Sequence, residues 1–163
     1  VLATLADALV TCNPMGVNVE IKNSPGGPGF DASGDLARQT VREIGQYAAG
    51  LDVLVSSFDL PTIDAVREAD ASIDTGYLVL SCDLPLDAVA TSVERGHGAI
   101  NPWDAGLTAD VVSRIHDAGL LVNVWTVDDV DRIQELHGWG VDAIITSCPA
   151  VALESVGRSI LRP

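Results

Sequence analysis

The stretch LLVNVWT, residues 120–126, decides which α/β fold the chain can adopt. In an extended strand successive side chains point to opposite faces, so the apolar residues Val122 and Val124 share one face. Asn123 and Trp125 share the opposite face. A strand covered by helices on both faces should be apolar on both, whereas a barrel strand can turn polar side chains inward near its C-terminal mouth. The alternation therefore favours a (β/α) barrel over an open doubly wound sheet.

The same alternation occurs in NVEIKN, residues 18–23. Val19 and Ile21 face one way, while Glu20 and Lys22 face the other, about 6.6 Å apart along the strand. Lys22 is the only lysine in the chain, because the other eight of its nine cationic residues are arginines. Charged side chains need a partner or a bound ion when they leave water. Two interpretations stay open: a structural ion pair, or part of a site at the mouth of a barrel.

Six apolar runs typical of buried strands recur along the chain, at residues 17–22, 52–58, 76–81, 97–102, 120–126 and 141–147. Amphipathic helical patterns separate them, which predicts a parallel sheet covered by helices. Helix start signals occur at Thr108 or Asp110, at Asp128 or Asp129, and at Ser147 with Pro149, and Gly119 and Gly140 are stop signals. A complete barrel of this kind has eight strands in about 250 residues. We therefore expect an incomplete α/β TIM barrel with six of the eight strands.

Composition limits the classes of partner. The formal net charge is -14, and nucleic acids and anionic membranes attract basic surfaces, so we expect neither as a partner. No apolar run reaches the roughly 18 residues of a membrane-spanning helix. Cys12, Cys82 and Cys148 are widely spaced without a CxxC pair, which suggests neither a disulfide framework nor a zinc site. Unpaired cysteines favour a reducing compartment, and we expect a cytoplasmic location.

Five segments resemble the glycerophosphodiester phosphodiesterases in order and spacing: NVEIKN (18–23), LVSSFD (54–59), INPWDAGLT (100–108), GLLVNVWTVDD (119–129) and GVDAIITSCP (140–149). The resemblance implies one domain over residues 1–163, a TIM barrel of the phospholipase C-like phosphodiesterase type. It also implies hydrolysis of a small-molecule glycerophosphodiester to an alcohol and glycerol 3-phosphate, with a divalent cation, Mg²⁺ or Ca²⁺.

The resemblance also implies roles for four residues. Glu20 matches a metal-binding glutamate of the family, and Lys22 matches the catalytic lysine that contacts the phosphate. Trp125 matches the tryptophan that lines the substrate pocket, and Phe58 matches an aromatic residue of the pocket wall. Phosphoryl transfer needs neutralisation of charge on the phosphate oxygens, which a cation and a lysine can supply.

Departures from the family pattern limit what these residues can do alone. The family's first two strands carry HRG, PENT, Glu-x-Asp and HD motifs, and residues 1–16, which precede NVEIKN, contain none of them. We therefore expect the first two βα units to be missing and the 163 residues alone to be inactive. The three histidines do not replace those motifs, because His97 begins a strand and His116 and His137 lie in helices. A missing N-terminal segment or a second copy of the chain would then complete the barrel.

Two other function classes stay open. One is a degenerate barrel without catalysis that binds a phosphorylated ligand or a partner chain, and the other is a phosphatidylinositol-type phosphodiesterase acting on lipids.

Three smaller features of the sequence also have two interpretations each. The loop at residues 24–34 is either a passive connection or a lid, and VDDVD (127–131) is either a helix cap or a calcium loop. Asp59, Asp83 and Asp104 follow strands and are either turn residues or members of the site.

Overall fold

The chain alternates between helices and strands along its whole described length. The structure is a computed structural model that describes residues 2–80 and 86–158. Its internal contacts group the chain into two compact units, Val1–Leu78 and Val79–Pro163.

The first unit has three helices and three parallel strands. Its elements are α1 (Leu5–Cys12), β1 (Val17–Glu20), α2 (Asp35–Tyr47), β2 (Val53–Ser57), α3 (Leu60–Ala69) and β3 (Asp74–Val79). Strand β2 lies between β1 and β3, and Val55 aligns with Val19 on one side and Thr75 on the other. The helices bury their apolar faces against this sheet, since the residues buried together include Leu9, Ala37, Ile44, Val55 and Val66.

The second unit continues the alternation. Its elements are α4 (Leu86–Arg95), β4 (Ala99–Pro102), α5 (Ala109–Asp117), β5 (Leu121–Val124), α6 (Val130–Gly138), β6 (Ala143–Ile144) and α7 (Pro149–Ser155). Strand β5 pairs in parallel with β4 and with β6. Buried aliphatic side chains from strands and helices form its interior, among them Ile100, Val122, Val124, Ile133 and Leu136.

All six predicted strands are present, although most are shorter than predicted. The largest difference is at residues 141–147, where the strand is reduced to Ala143–Ile144. Asp142 and Ile145 still donate main-chain hydrogen bonds to Val122 and Val124 of β5, and Thr146 and Ser147 beyond them bind the side chain of Asp128 instead.

Most of the predicted helix signals are confirmed. Thr108 and Asp129 cap α5 and α6 through their side chains, accepting hydrogen bonds from the main-chain N–H groups of Val111 and Arg132. The choice of Ser147 as the last cap was wrong, since Cys148 holds that position before Pro149. Gly119 and Gly140 follow helix ends with φ of 81° and 79°, a backbone conformation that glycine adopts without a side-chain clash.

Three further predictions concern membrane-spanning helices, the cysteines and the histidines. None of the helices in residues 2–80 and 86–158 is long and apolar enough to cross a membrane. Cys12 and Cys148 are free thiols. His116 and His137 lie in α5 and α6 as predicted, and His97 precedes β4. Cys82 and Asp83 lie outside the described residues.

Candidate functional site

Glu20 and Lys22 lie together at the C-terminal end of β1. Glu20 is the last residue of the strand, and Lys22 follows two residues later with its Nζ 3.7 Å from Oε2 of Glu20. The Lys22 side chain is 82% exposed and that of Glu20 34% exposed. Exposed ion pairs of this kind contribute about 0–1 kcal/mol to stability. The pair therefore adds little to the fold and leaves the ammonium group accessible to an anion.

The backbone beneath Lys22 is fixed from both sides. Ile21 and Asn23 are buried, as the alternating pattern predicts. The N–H of Ile21 donates to the carbonyl oxygen of Ser56 at 2.8 Å, and the hydroxyl of Ser57 donates to the carbonyl oxygen of Ile21 at 2.8 Å. Lys22 thus extends into solvent from a rigid attachment point, which lowers the entropy lost when it binds an anion.

Asn23 connects this segment to the following loop and to α3. Its Nδ2 donates to the carbonyl oxygen of Asp31 at 2.8 Å and to Oγ1 of Thr62 at 2.9 Å, and its Oδ1 accepts from the N–H of Asp31 at 2.8 Å. Thr62 in turn donates to the carboxylate of Asp59, the N-cap of α3. The structure thus favours the cap interpretation of Asp59.

A cleft of about 200 Å³ lies beside these residues. Glu20, Lys22 and Phe58 line it together with neighbouring residues of the same two strand ends, Ile21, Asn23, Ser24 and Ser57. Phe58 follows β2 directly and is partly exposed to solvent. Three of the four residues predicted as site residues therefore line one cleft in the first unit. Their roles in that cleft stay predictions.

The loop at residues 24–34 leaves the cleft and is fastened at its far end by Asp31. The carboxylate of Asp31 accepts hydrogen bonds from the N–H of Leu36 at 2.7 Å and from the N–H and hydroxyl of Ser33. Asn23 binds Asp31 as well, so both ends of the intervening segment are tied together. These contacts do not distinguish a lid from a passive loop, and the lid stays a prediction.

The stability that Asp31 contributes should depend on pH. Hydrogen bonds from the N–H of Leu36 and then from Ser33 lower the pKa of Asp31 to about 2. Because the pKa in the folded state lies below the unfolded value of about 3.9, the contribution is complete above about pH 4 and is lost as the pH falls toward 2. We expect Asp31→Asn to lower the melting temperature at pH 6 and to lower it less at pH 2.

The control for this prediction is Asp117→Asn, which removes an exposed carboxylate from α5. Thermal unfolding of the parent and both variants, measured at several pH values, gives the comparison. The same loss at pH 6 and pH 2 for Asp31→Asn would contradict the assignment of the hydrogen-bonded carboxylate.

Trp125, the fourth predicted site residue, lies in the second unit just after β5. Its indole N–H donates to the carbonyl oxygen of Asn101 at 2.8 Å, and its main-chain N–H donates to the carbonyl oxygen of Pro102 at 3.2 Å. The N–H of Asp104 donates to the carbonyl oxygen of Trp125 at 2.9 Å. Buried Asn101 also accepts a hydrogen bond from the side chain of Asn123 at 3.1 Å. The end of β4 thus fixes both the backbone and the ring of Trp125.

Asp128 connects the segment that follows β5 to the segment that follows the neighbouring strand β6. Its Oδ1 accepts from the hydroxyl of Thr146 at 2.8 Å and from the N–H of Ser147 at 2.7 Å, and these hydrogen bonds, Thr146 first, lower the pKa of Asp128. Asp129 caps α6. Both aspartates therefore have structural partners, which favours the cap interpretation of VDDVD over a calcium loop.

The described residues do not by themselves fit a divalent-cation site. Among them there is no group of three or more His, Cys, Asp or Glu side chains that could hold a metal ion. Mg²⁺ and Ca²⁺ require about six to eight ligands, mostly oxygen atoms. Glu20 supplies one carboxylate, and the ammonium of Lys22 lies 3.7 Å from it. A cation at Glu20 would need ligands from outside the described residues.

A larger cavity of about 410 Å³ lies in the second unit beside α6, β6 and α7. Its lining is mixed, because aliphatic residues such as Ile133 and Leu153 line it together with His137, Asp142 and Arg158. None of the four predicted site residues lines it. We assign the candidate site to the smaller cleft, because Glu20, Lys22 and Phe58 line it together.

Comparison with known sequences identifies the family. The profile of the glycerophosphoryl diester phosphodiesterase family matches residues 2–151, nearly the whole chain. The chain belongs to the glycerophosphoryl diester phosphodiesterase family. The resemblance carried by the five segments is thereby confirmed. No curated protein matches the chain.

Solved structures of family members share the fold. An Oleispira antarctica phosphodiesterase in complex with the product sn-glycerol-3-phosphate is 21% identical, with a TM-score of 0.78 over 94% of this chain and 60% of that one. A Silicibacter pomeroyi protein of the glycerophosphoryl diester phosphodiesterase type is 22% identical, with a TM-score of 0.77 over 95% and 57%. A Parabacteroides distasonis glycerophosphodiester phosphodiesterase is 20% identical, with a TM-score of 0.73 over 94% and 63%.

These likenesses confirm the predicted fold class, an incomplete TIM barrel of the glycerophosphodiester phosphodiesterase type. Six strands alternate with helices in the described residues, and the chain spans about three fifths of the length of each of these three structures.

Sequence reasoning missed the residues that support the site. Asn23 and Ser57 fix the backbone at Lys22, and Arg132 holds Asp104 beside Trp125. Of these residues, only Asn23 could have been found from the sequence, because it falls on the buried face of NVEIKN, where a polar side chain needs hydrogen-bond partners.

Proposed function

We propose that this chain supplies the phosphate-binding part of a glycerophosphodiester phosphodiesterase. The protein that contains it would hydrolyse small glycerophosphodiesters to an alcohol and glycerol 3-phosphate. The observation that carries the proposal is the accessible ammonium of Lys22 beside Glu20 and Phe58 in one cleft of a family member. The bound sn-glycerol-3-phosphate in the Oleispira antarctica structure supports the same substrate class.

The charge of the cleft agrees with an anionic substrate. Of the described residues that line it, Lys22 alone is cationic, in a chain whose net charge is -14. A phosphodiester approaching this acidic protein therefore needs a local positive charge, and Lys22 provides one on a fixed backbone. Negative charge develops on the phosphate oxygens during hydrolysis, and an ammonium group in contact with them stabilises it. Lys22 is accordingly the proposed catalytic residue.

Three other residues complete the proposal. Phe58 and Trp125 would contact the glycerol or alcohol part of the substrate through their apolar rings. Glu20 would contribute one ligand to a divalent cation, Mg²⁺ or Ca²⁺, whose remaining ligands lie outside the described residues. A cytoplasmic location and assembly as a homo-oligomer remain predictions from the sequence.

Hydrolysis of glycerophosphocholine by the full-length gene product, with Mg²⁺ or Ca²⁺ added, tests the proposal. We expect release of glycerol 3-phosphate. Glu20→Gln should raise the cation concentration needed for the half-maximal rate, because the neutral amide is a weaker ligand. Glu43→Gln, which removes a carboxylate from α2, is the matched control and should leave that concentration unchanged.

Two results would contradict parts of this account. Absence of turnover with either cation, combined with binding of glycerol 3-phosphate, would instead indicate the non-catalytic phosphate-binding barrel. An unchanged cation requirement in Glu20→Gln would remove Glu20 from the cation site.

A further inference from the structure

The end of β4 and the residues that follow it fix the position of Trp125. Its main-chain N–H and carbonyl oxygen bind Pro102 and Asp104, and its indole N–H binds the carbonyl oxygen of Asn101. Three hydrogen bonds therefore connect Trp125 to three residues between positions 101 and 104. A displacement of Asp104 would move the backbone from which the indole extends.

Arg132 on α6 fixes that segment in turn. Its Nε donates to Oδ1 of Asp104 at 2.7 Å, and its Nη2 donates to the carbonyl oxygen of Leu107 at 2.9 Å. The N–H of Leu107 donates to the carbonyl oxygen of Asp104 at 3.0 Å. The guanidinium thus spans the turn at residues 104–107 and holds both of its ends.

Arg132 is itself held more firmly than a surface arginine. Its Nη1 donates to Glu135 at 2.6 Å, and its guanidinium lies 4.6 Å from the ring centre of Trp139. Its side chain is 20% exposed and that of Asp104 is 24% exposed. Burying an ion pair costs free energy of desolvation unless the charged atoms lie close together and additional hydrogen bonds satisfy them. Arg132 and Asp104 meet both conditions.

Arg114 and Asp110 on α5 form an exposed ion pair that can be compared with the pair of Arg132 and Asp104. Their charged atoms are 3.9 Å apart, and the side chains are 51% and 81% exposed. Such a pair has little influence on its surroundings. Arg114 therefore serves as an internal reference for Arg132.

We propose that Arg132, acting through Asp104, is a positioning residue that sets the orientation of the Trp125 indole. The inference rests on the proposed function in one respect, the role of Trp125 as a wall of the substrate pocket. The planar guanidinium is required because it binds a carboxylate and a carbonyl oxygen at once while stacking on an aromatic ring. The compact ammonium of a lysine cannot make these contacts together.

Fluorine NMR of the full-length gene product containing 5-fluorotryptophan tests the positioning directly. Replacement of Trp103, Trp125 and Trp139 by phenylalanine, one at a time, assigns the signals of these three residues. We expect Arg132→Met to shift or broaden the Trp125 signal, and Asp104→Asn to do the same while preserving side-chain size. Arg114→Met should leave the Trp125 signal in place. Melting temperatures show which variants are folded. If Arg132→Met does not fold, the Trp125 signal of Asp104→Asn tests the positioning.

Steady-state kinetics provides the second readout. Arg132→Met should raise KM for the glycerophosphodiester about tenfold with little change in kcat, because a misplaced pocket wall weakens substrate and transition-state binding equally. Arg132→Lys should fall between the parent and Arg132→Met. An unchanged Trp125 signal in folded Arg132→Met and Asp104→Asn would overturn the inference. A parent protein without turnover would refute the proposed function, while the fluorine signals would still decide the positioning.

Discussion

Replacing Lys22 with methionine is expected to lower kcat/KM for a glycerophosphodiester about 100-fold in the full-length gene product, the effect typical of losing one group that stabilises developing charge. Methionine keeps much of the length of the side chain and removes the charge. The Lys22 side chain is 82% exposed and extends from a backbone held by the hydrogen bond between Ile21 and Ser57, so the substitution should change the cleft without disturbing the fold. Lys22→Arg should recover part of the activity, since it retains the charge with a different geometry.

The matched control for this prediction is Arg42→Met. Arg42 is exposed on α2 and belongs to the same unit, so its replacement removes the same formal charge from the same part of the molecule. Its kcat/KM should stay within about twofold of the parent value, because solvent and salt screen exposed charges over about 10 Å. Equal losses in the two variants would mean that net charge, and not contact with Lys22, governs the activity.

Replacing Asn23 with alanine should produce the largest loss of stability among the residues of the site. Its side chain makes three hydrogen bonds from a buried position, two to the backbone of Asp31 and one to Thr62. At roughly 1 kcal/mol for each hydrogen bond, the free energy of unfolding should fall by roughly 3 kcal/mol. The variant should also loosen the segment beside Lys22, because the two ends of the loop are no longer tied together.

Asn18→Ala is the control for that loss. Asn18 is also on β1, but it is exposed and accepts one hydrogen bond, from the hydroxyl of Ser56 at 3.0 Å. We expect a loss of about 1 kcal/mol or less for this variant. Denaturant unfolding of both variants measures the difference. Similar losses for Asn18→Ala and Asn23→Ala would show that the buried network contributes little to stability.

The fold and the location of the cleft could be predicted because they depend on local patterns. Two-residue alternation placed Glu20 and Lys22 on one face of β1, and the exposed and buried positions follow that alternation. Phe58 joins them because β1 and β2 are neighbouring parallel strands, whose C-terminal ends meet at the same edge of the sheet. The order of these residues in the chain was therefore enough to predict that they meet.

The supporting contacts could not be predicted in the same way, because they join positions that are far apart in the chain. Asn23 and Thr62 are 39 residues apart, and Asp104 and Arg132 are 28 residues apart. Each pair meets only after helices pack on the sheet, and no periodic pattern encodes its partner. Ser147 likewise binds a distant partner, because its N–H donates to Asp128, 19 residues away, and Cys148 holds the N-cap position of α7.

The central claim is that Lys22 contacts the phosphate group of the substrate. NMR of the full-length gene product labelled with ¹³C and ¹⁵N in lysine tests it most directly, since Lys22 is the only lysine of this chain and Lys22→Arg identifies its signal. We predict that the Lys22 side-chain signal shifts and saturates when sn-glycerol 3-phosphate is added, and does not move with glycerol. A Lys22 signal that stays in place as sn-glycerol 3-phosphate is added would contradict the claim.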